Sequence, residues 1–468
     1  MPETLPNLGE PGNAALSPAK AAEIGRKIVN EMYRANYIVS DPELETFINS
    51  IGWQLASHGT ARPPEFRFLV LADNGINAVT LPGSIIGVNV GTIVAAANVS
   101  ELAAVMAHEE AHVTQNHIAR TADRSPIASI ATWAAVIGAM IAAAASGSGG
   151  DAIEGGLILG QSINTQREIN YTRGNELEAD RVGIETLARA GYQPLAMADF
   201  FGRLQQQTRL YGQIPQILLD HPVNSTRIAE ATERAERYPA SKLPSSISFE
   251  LMRARGRVLE ANAAADALKY FDGELRSGKA TAGNHYGYAM TLHLTGQDRQ
   301  ALQALQPLLK EWPDDRDVLL LESRIHAGAG DIRSALAVDQ RVLSTNPGYA
   351  PAILQTADDL ITAGKPLDAR KVLLSHQQSY GTSPRTWQLL ARAALASGNP
   401  AEAAFQMSNY YVARENPLAA LDQLNAGLRL GDISADARAR LRARRQELIA
   451  SIPRHALREH QRQERDRG

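Results

Sequence analysis

The chain has 468 residues and carries 47 Lys and Arg against 50 Asp and Glu, a net charge of -3. Near-neutral charge excludes a general nucleic-acid binder, which needs a basic field, and 44% hydrophobic content excludes wholesale disorder. Cysteine is absent, so there is no disulfide framework, thiol nucleophile or thiolate metal site, and any metal must be held by His, Asp or Glu.

Taken in chain order, residues 1–17 are polar and rich in Pro and Gly. They lack a charged start followed by an apolar run, and so read as a flexible segment of a mature or cytosolic chain without a secretory leader. Ile24, Ile28 and Met32 share a helical stripe, and Leu44, Phe47, Ile48, Ile51 and Leu55 form a second one after the Asp41-Pro42 turn. From Phe66 to Asn98 the pattern is β-rich, with a turn at Leu81-Pro82-Gly83-Ser84. The segment Ser84 to Thr92 reads as a strand able to pair with an extended chain. A helix opens near Val99 with Ser100 as its N-cap, and further helices are expected over 167–190, over 194–211 and from Ser225.

Residues 127–145 form 19 uncharged residues, nine of them alanine. Alanine contributes little on burial, so the wider 127–160 segment reads as a lid-like or membrane-proximal helical insertion rather than a span. From about residue 246 a repeat takes over. Gly296, Gly330, Gly364 and Gly398 recur every 34 residues, as do Ala301, Ala335, Ala369 and Ala403. Ala289, Ser323, Ala357 and Ala391 sit seven residues before each Gly. A 34-residue period with small helix-contact residues and Gly at the turn is the tetratricopeptide signature, here expected over 246–437. Asn416-Pro417 then echoes Asn399-Pro400 at half that spacing, and residues 438–468 form an arginine-rich, partly helical tail with ten arginines.

The chemistry concentrates in His108-Glu109-Glu110-Ala111-His112. Two histidines four apart on a helix reach one ion, and the Glu beside the first can contact an ion-bound water as general base. Gln115 and Ile118 stand where an elongated zinc motif would need Gly and His, so a third ligand must come from later sequence. Glu176 and Asp180 share a helix face, so one can ligate while the other orients a ligand imidazole; Glu178 points elsewhere, and His117, five after His112, points off the ligand face and reads as a structural histidine, with support of a ligand from behind as the alternative.

His108-Glu109-x-x-His112 with Glu176-x-x-x-Asp180, preceded by Asn77-Ala78 and Leu81-Pro82-Gly83, resembles the gluzincin endopeptidases related to HtpX and the CAAX prenyl protease. With the repeats appended, the chain resembles the BepA-like periplasmic zinc metalloprotease and chaperone family. That resemblance implies an α+β fold, mostly α with a small β-sheet: a zincin-type metalloprotease domain over 18–245, then an all-α tetratricopeptide solenoid. It implies one Zn2+ on His108, His112 and Glu176, with Glu109 as catalytic base. Asp180 would support a ligand imidazole, Arg227 would line the cleft and stabilise the oxyanion, His221 would be a regulatory fourth ligand, and Asn77, Pro82 and Gly83 would mark a substrate-strand region. The implied partners are misassembled proteins, outer-membrane β-barrel precursors and the barrel assembly machinery, in the periplasm, with peripheral membrane contact and no nucleic acid. The competing readings are a non-proteolytic chaperone or adaptor with a capped or vestigial zinc site, and a cytosolic repeat protein with an RNA-binding tail.

Overall fold

The structure, a computed structural model, describes residues 16–59, 65–122, 133, 135, 138–142, 173–211, 214–240, 246–380 and 383–467. The chain is mostly helical with one small sheet, and it divides into two compact units, Met1–Gly287 and Tyr288–Gly468.

In the first unit, helices α1 (Pro18–Arg34) and α2 (Pro42–His58) each carry Pro in the first turn, behind the N-caps Ser17 and Asp41. The α1 stripe Ile24, Ile28 and Met32 is buried together with Leu71, Leu81 and Ile85. Three strands follow: β1 (Arg67–Leu71), β2 (Ala78–Leu81) and β3 (Ile85–Asn89), in the order β1-β3-β2. β3 lies between a parallel partner and an antiparallel one, and every residue of it is buried. The expected strand over Ser84 to Thr92 is therefore corrected twice. It stops at Asn89, where α3 (Val90–Ala95) begins, and both its edges are already paired, so it has no free edge to offer another chain. Pro82 and Gly83 form the β2–β3 turn.

Helix α4 (Val99–Thr114) carries the His108–His112 motif. Its N-cap is Asn98, whose side chain accepts from the Glu101 N–H, rather than the expected Ser100. Ser100 lies inside the helix and accepts from the Gln193 N–H instead. Asn and Ser cap about equally well, so the helix start is decided by where the preceding chain turns. After α5 (His117–Ala122) come α6 (Arg173–Arg189), α7 (Ala196–Tyr211), α8 (Gln216–Asp220) and α9 (Ser225–Ala235). Helices α10 (Ser248–Glu260), α11 (Ala264–Arg276) and α12 (Ala282–Leu294) come next. The 127–160 insertion falls mostly outside the described residues; within it, Trp133 is buried in the α1 cluster, with Met140 and Ile141 against that cluster. Among the described residues no helix is long and apolar enough to cross a membrane.

The second unit continues as helical hairpins, with α13 (Asp298–Glu311), α14 (Arg316–Gly328), α15 (Ile332–Thr345), α16 (Ala350–Thr362), α17 (Pro366–Tyr380), α18 (Pro384–Ala396) and α19 (Pro400–Ala413). Gly330, Gly364 and Gly398 sit between paired helices at φ 82, 73 and 74°. Nothing lies within 4 Å of a Cβ built on any of them, so backbone conformation and not space requires glycine there. The recurring small residues Ser323, Ala335, Ala357, Ala369, Ala391 and Ala403 are all buried, as the repeat demands. The half-repeat echo is also visible: Asn399 and Asn416 both cap helices that open with Pro, and Glu415 takes a left-handed φ of 58° where the array elsewhere uses Gly. Helix α20 (Pro417–Arg429) is followed by α21 (Ala435–Ser451) and α22 (Arg454–Arg467), which hold the arginine-rich segment. Leu441 and Leu448 of α21 pack with Ala420 and Leu424.

Candidate metal centre

Helix α4 carries His108 and His112 one turn apart on a face that the fold buries completely. Helix α6 lies against α4 and brings Glu176, and the turn after α8 brings His221. Close approach of α4 and α6 depends on Gly183: a Cβ there would stand 3.3 Å from the Ala107 backbone and 2.9 Å from Met197 Cε.

One ligand atom from each of His108, His112, Glu176 and His221 lies within 4.8 Å of all the others, and all four residues are buried. The Nε2 atoms of His108 and His112 are 3.0 Å apart, and His108 Nε2 is 3.3 Å from His221 Nδ1. Glu176 Oε2 is 3.5 Å from His108 Nε2 and 3.1 Å from His221 Nδ1, and Glu176 Oε1 is 3.6 Å from His112 Nε2. A tetrahedral shell with bonds of about 2.0–2.1 Å has edges of roughly 3.3 Å, so the spacing of this N,N,N,O donor set fits one zinc-sized ion. Two buried ring nitrogens that face each other at 3.0 Å also need a proton or a cation between them.

Charge on the donors follows from their neighbours. Burial opposes charge on His108, yet the Asp180 and Glu176 carboxylates outweigh it and hold the ring up at about 10. Burial, and then His108 beside it, push His112 well below its ordinary value. Burial would raise Glu176, but His221 and His108 override it and hold that carboxyl well below the usual range. Burial raises Glu109.

Glu109 sits beside the donors, with Oε1 3.4 Å from His221 Nε2 and Oε2 accepting from the Thr80 hydroxyl at 2.8 Å. Asp180 Oδ1 stands 3.0 Å from His108 Nδ1, the nitrogen that faces away from the donor set. Arg227 grips Asp180 with Nε and Nη2, both at 2.8 Å, and reaches Glu176 with Nη1 at 3.1 Å. Asn77 donates to Asp220 at 2.9 Å, tying the start of β2 to the residue before His221. Reasoning from the sequence missed Thr80, Asn77's partner and the carboxylate behind His112, and it left His117 as structural or as a support for a ligand. There His117 Nδ1 is 2.7 Å from His112 Nδ1, and Glu178 Oε2 is 3.2 Å from His117 Nε2. The only hint in the sequence was a histidine five residues past the motif.

The model of "Peptidase family M48" matches residues 42–235. The "Beta-barrel assembly-enhancing protease" of Escherichia coli is 30% identical over 441 residues, 92% of this chain and 89% of that protein. The "Putative beta-barrel assembly-enhancing protease" of Vibrio cholerae is 32% identical over 406 residues, 86% of this chain and 83% of that one. A solved tetratricopeptide protein of Thermus thermophilus is 20% identical and covers 44% of this chain and all of its own, at a TM-score of 0.30. The chain belongs to peptidase family M48, the family of these barrel-assembly-enhancing proteases.

Proposed function

We propose that this metalloprotease is a zinc-dependent endopeptidase of the gluzincin type. In this reading His108, His112 and Glu176 hold the ion, Glu109 is the general base, and His221 is a displaceable fourth donor. The observation that carries the reading is the convergence of three buried donors with Glu109 alongside. Bound zinc supplies acidification of a water and polarisation of the scissile carbonyl. Glu109, raised by burial, takes the proton from the attacking water and delivers it to the departing amine. Thr80 orients that carboxylate through Oε2 and leaves Oε1 turned toward the donors. Asp180 holds the His108 ring, and Arg227 is buried with its guanidinium on Asp180 and Glu176, so its contacts favour support of the ligand set over the expected oxyanion role.

Substrate would lie along β2, between Asn77 and Pro82-Gly83. Among the described residues β2 is bonded to another strand only on its β3 side, and Thr80 on β2 touches the base. Recognition of an extended backbone there suits unfolded or misassembled chains more than one sequence. The relatives' name refers to β-barrel assembly, and together with the family resemblance it supports outer-membrane barrel precursors as the substrate class and the periplasm as the compartment. The repeats would hold the assembly machinery.

His221 within the donor set also favours a second reading, a chaperone whose site stays capped. Casein cleavage and self-cleavage by wild type and Glu109→Gln separate the two. Loss of the base should lower cleavage by about 10^2- to 10^4-fold with zinc content unchanged, and equal rates would leave only the capped chaperone.

A further inference from the structure

We infer that His117, Glu178 and Arg120 form a relay that fixes the ring of His112 as a metal ligand, the counterpart of the Asp180–Arg227 pair behind His108. The inference rests on the zinc reading above and deepens it.

The argument starts from proton positions. His112 Nε2 points into the donor set, 3.0 Å from His108 Nε2 and 3.6 Å from Glu176 Oε1. A neutral imidazole carries one N–H, so a ring that offers Nε2 as a lone pair keeps its proton on Nδ1. That Nδ1 lies 2.7 Å from His117 Nδ1, which must then accept. The His117 proton is thereby placed on Nε2, which faces Glu178 Oε2 at 3.2 Å. Glu178 also accepts from Arg120 Nη1 at 3.0 Å. Each link admits one donor and one acceptor, so the sequence of bonds selects a single tautomer for both rings.

The backbone explains how a residue off the helical ligand face arrives there. Helix α4 ends at Thr114, Asn116 turns left-handed at φ 54°, and His117 opens a new helix with its ring fully buried behind His112. Arg120 extends the relay sideways, because its Nη2 donates to Asn175 Oδ1 at 2.8 Å, one residue before Glu176. The same guanidinium thus ties the support of one ligand to the helix that carries another. Both motif imidazoles end up backed by a carboxylate that an arginine holds, directly for His108 and through His117 for His112.

The test is zinc affinity, measured on the full chain by competition with a chromogenic chelator and read with the visible spectrum of the Co2+-substituted protein. His117→Phe keeps the ring volume and removes both bonds. It should weaken zinc binding by about 10- to 100-fold and change the Co2+ spectrum. His117→Asn keeps an acceptor near the Nδ1 position, so it should recover most of the affinity and the wild-type spectrum. Glu178→Gln, at a partly exposed position that does not endanger folding, should weaken binding several-fold. Wild-type affinity in His117→Phe and Glu178→Gln, or equal loss in the Phe and Asn variants, overturns the relay while leaving the protease reading intact. A wild-type chain that takes up no zinc overturns both.

Discussion

His221 and His108 are 113 positions apart in the chain, yet their ring nitrogens lie 3.3 Å apart. In the proposed zinc site, a side chain in that place would fill a donor position that water must occupy for hydrolysis. His221→Ala should therefore raise casein cleavage several-fold while the protein still holds zinc on its other donors. Unchanged or lower cleavage with full zinc content would argue that His221 does not restrain the enzyme. At this scale the sequence was most legible where a motif is local. The i, i+4 spacing of His108 and His112 encodes their shared face, and Glu176-x-x-x-Asp180 encodes a second one. His221 was legible only through resemblance, because before the chain folds it is a loop histidine ahead of a proline.

Among the elements, the approach of α4 and α6 is set by one residue without a side chain. A Cβ on Gly183 meets the backbone of Ala107, in the helix turn just before His108. Gly183→Val should force the ligand helices apart, costing about 1–3 kcal/mol of stability and speeding zinc release to a chelator. Release at the wild-type rate would show that the packing tolerates the methyls. In the repeat unit, Ser323 lies 2.6 Å from Asp339 Oδ1 and 3.4 Å from Asp359 Oδ2, and all three residues are buried. Burial first, with the Asp359 carboxylate adding to it against the Ser323 hydroxyl, holds Asp339 up at about 7. The unfolded chain ionises Asp339 near its ordinary value, so the folded state loses stability as pH rises from about 4 to about 7, and the full cost remains above that window. Asp339→Asn should be more stable than wild type at pH 8, by on the order of 1 kcal/mol or more, with the gain gone at pH 4. A gain of equal size at both values in urea denaturation would refute the assignment. The 34-residue period predicted the turns and their glycines because both are local properties. The start of α4 and the end of β3 were misread because capping and strand propensity are shared by neighbouring residues, and tertiary contacts choose among them.

Across the first unit as a whole, one buried ionic cluster joins sequence far apart. Arg255 on α10 donates from Nε to both Asp41 oxygens at 2.7 Å, pairs with Glu43 at 3.1 Å and reaches the Tyr286 hydroxyl at 3.1 Å. Removing the cation would strand two buried carboxylates. Arg255→Met should cost about 3–5 kcal/mol, whereas deleting the exposed Arg189–Glu185 pair should cost under about 1 kcal/mol. Comparable midpoints for the two variants in thermal unfolding would contradict that ranking. Nothing in the sequence distinguishes Arg255 from the other arginines, since its burial exists only once α2 and α10 meet. By itself the sequence determined what depends on short spacing: the metal motif on one helix, the carboxylate pair on another, and the repeat with its turns. The tertiary structure alone decided which strand is paired on one side only among the described residues, that His221 and Glu176 join the two motif histidines, and that His117 stands behind His112. Those outcomes depend on long-range packing, where close approach at positions such as Gly183, and not local preference, sets the geometry.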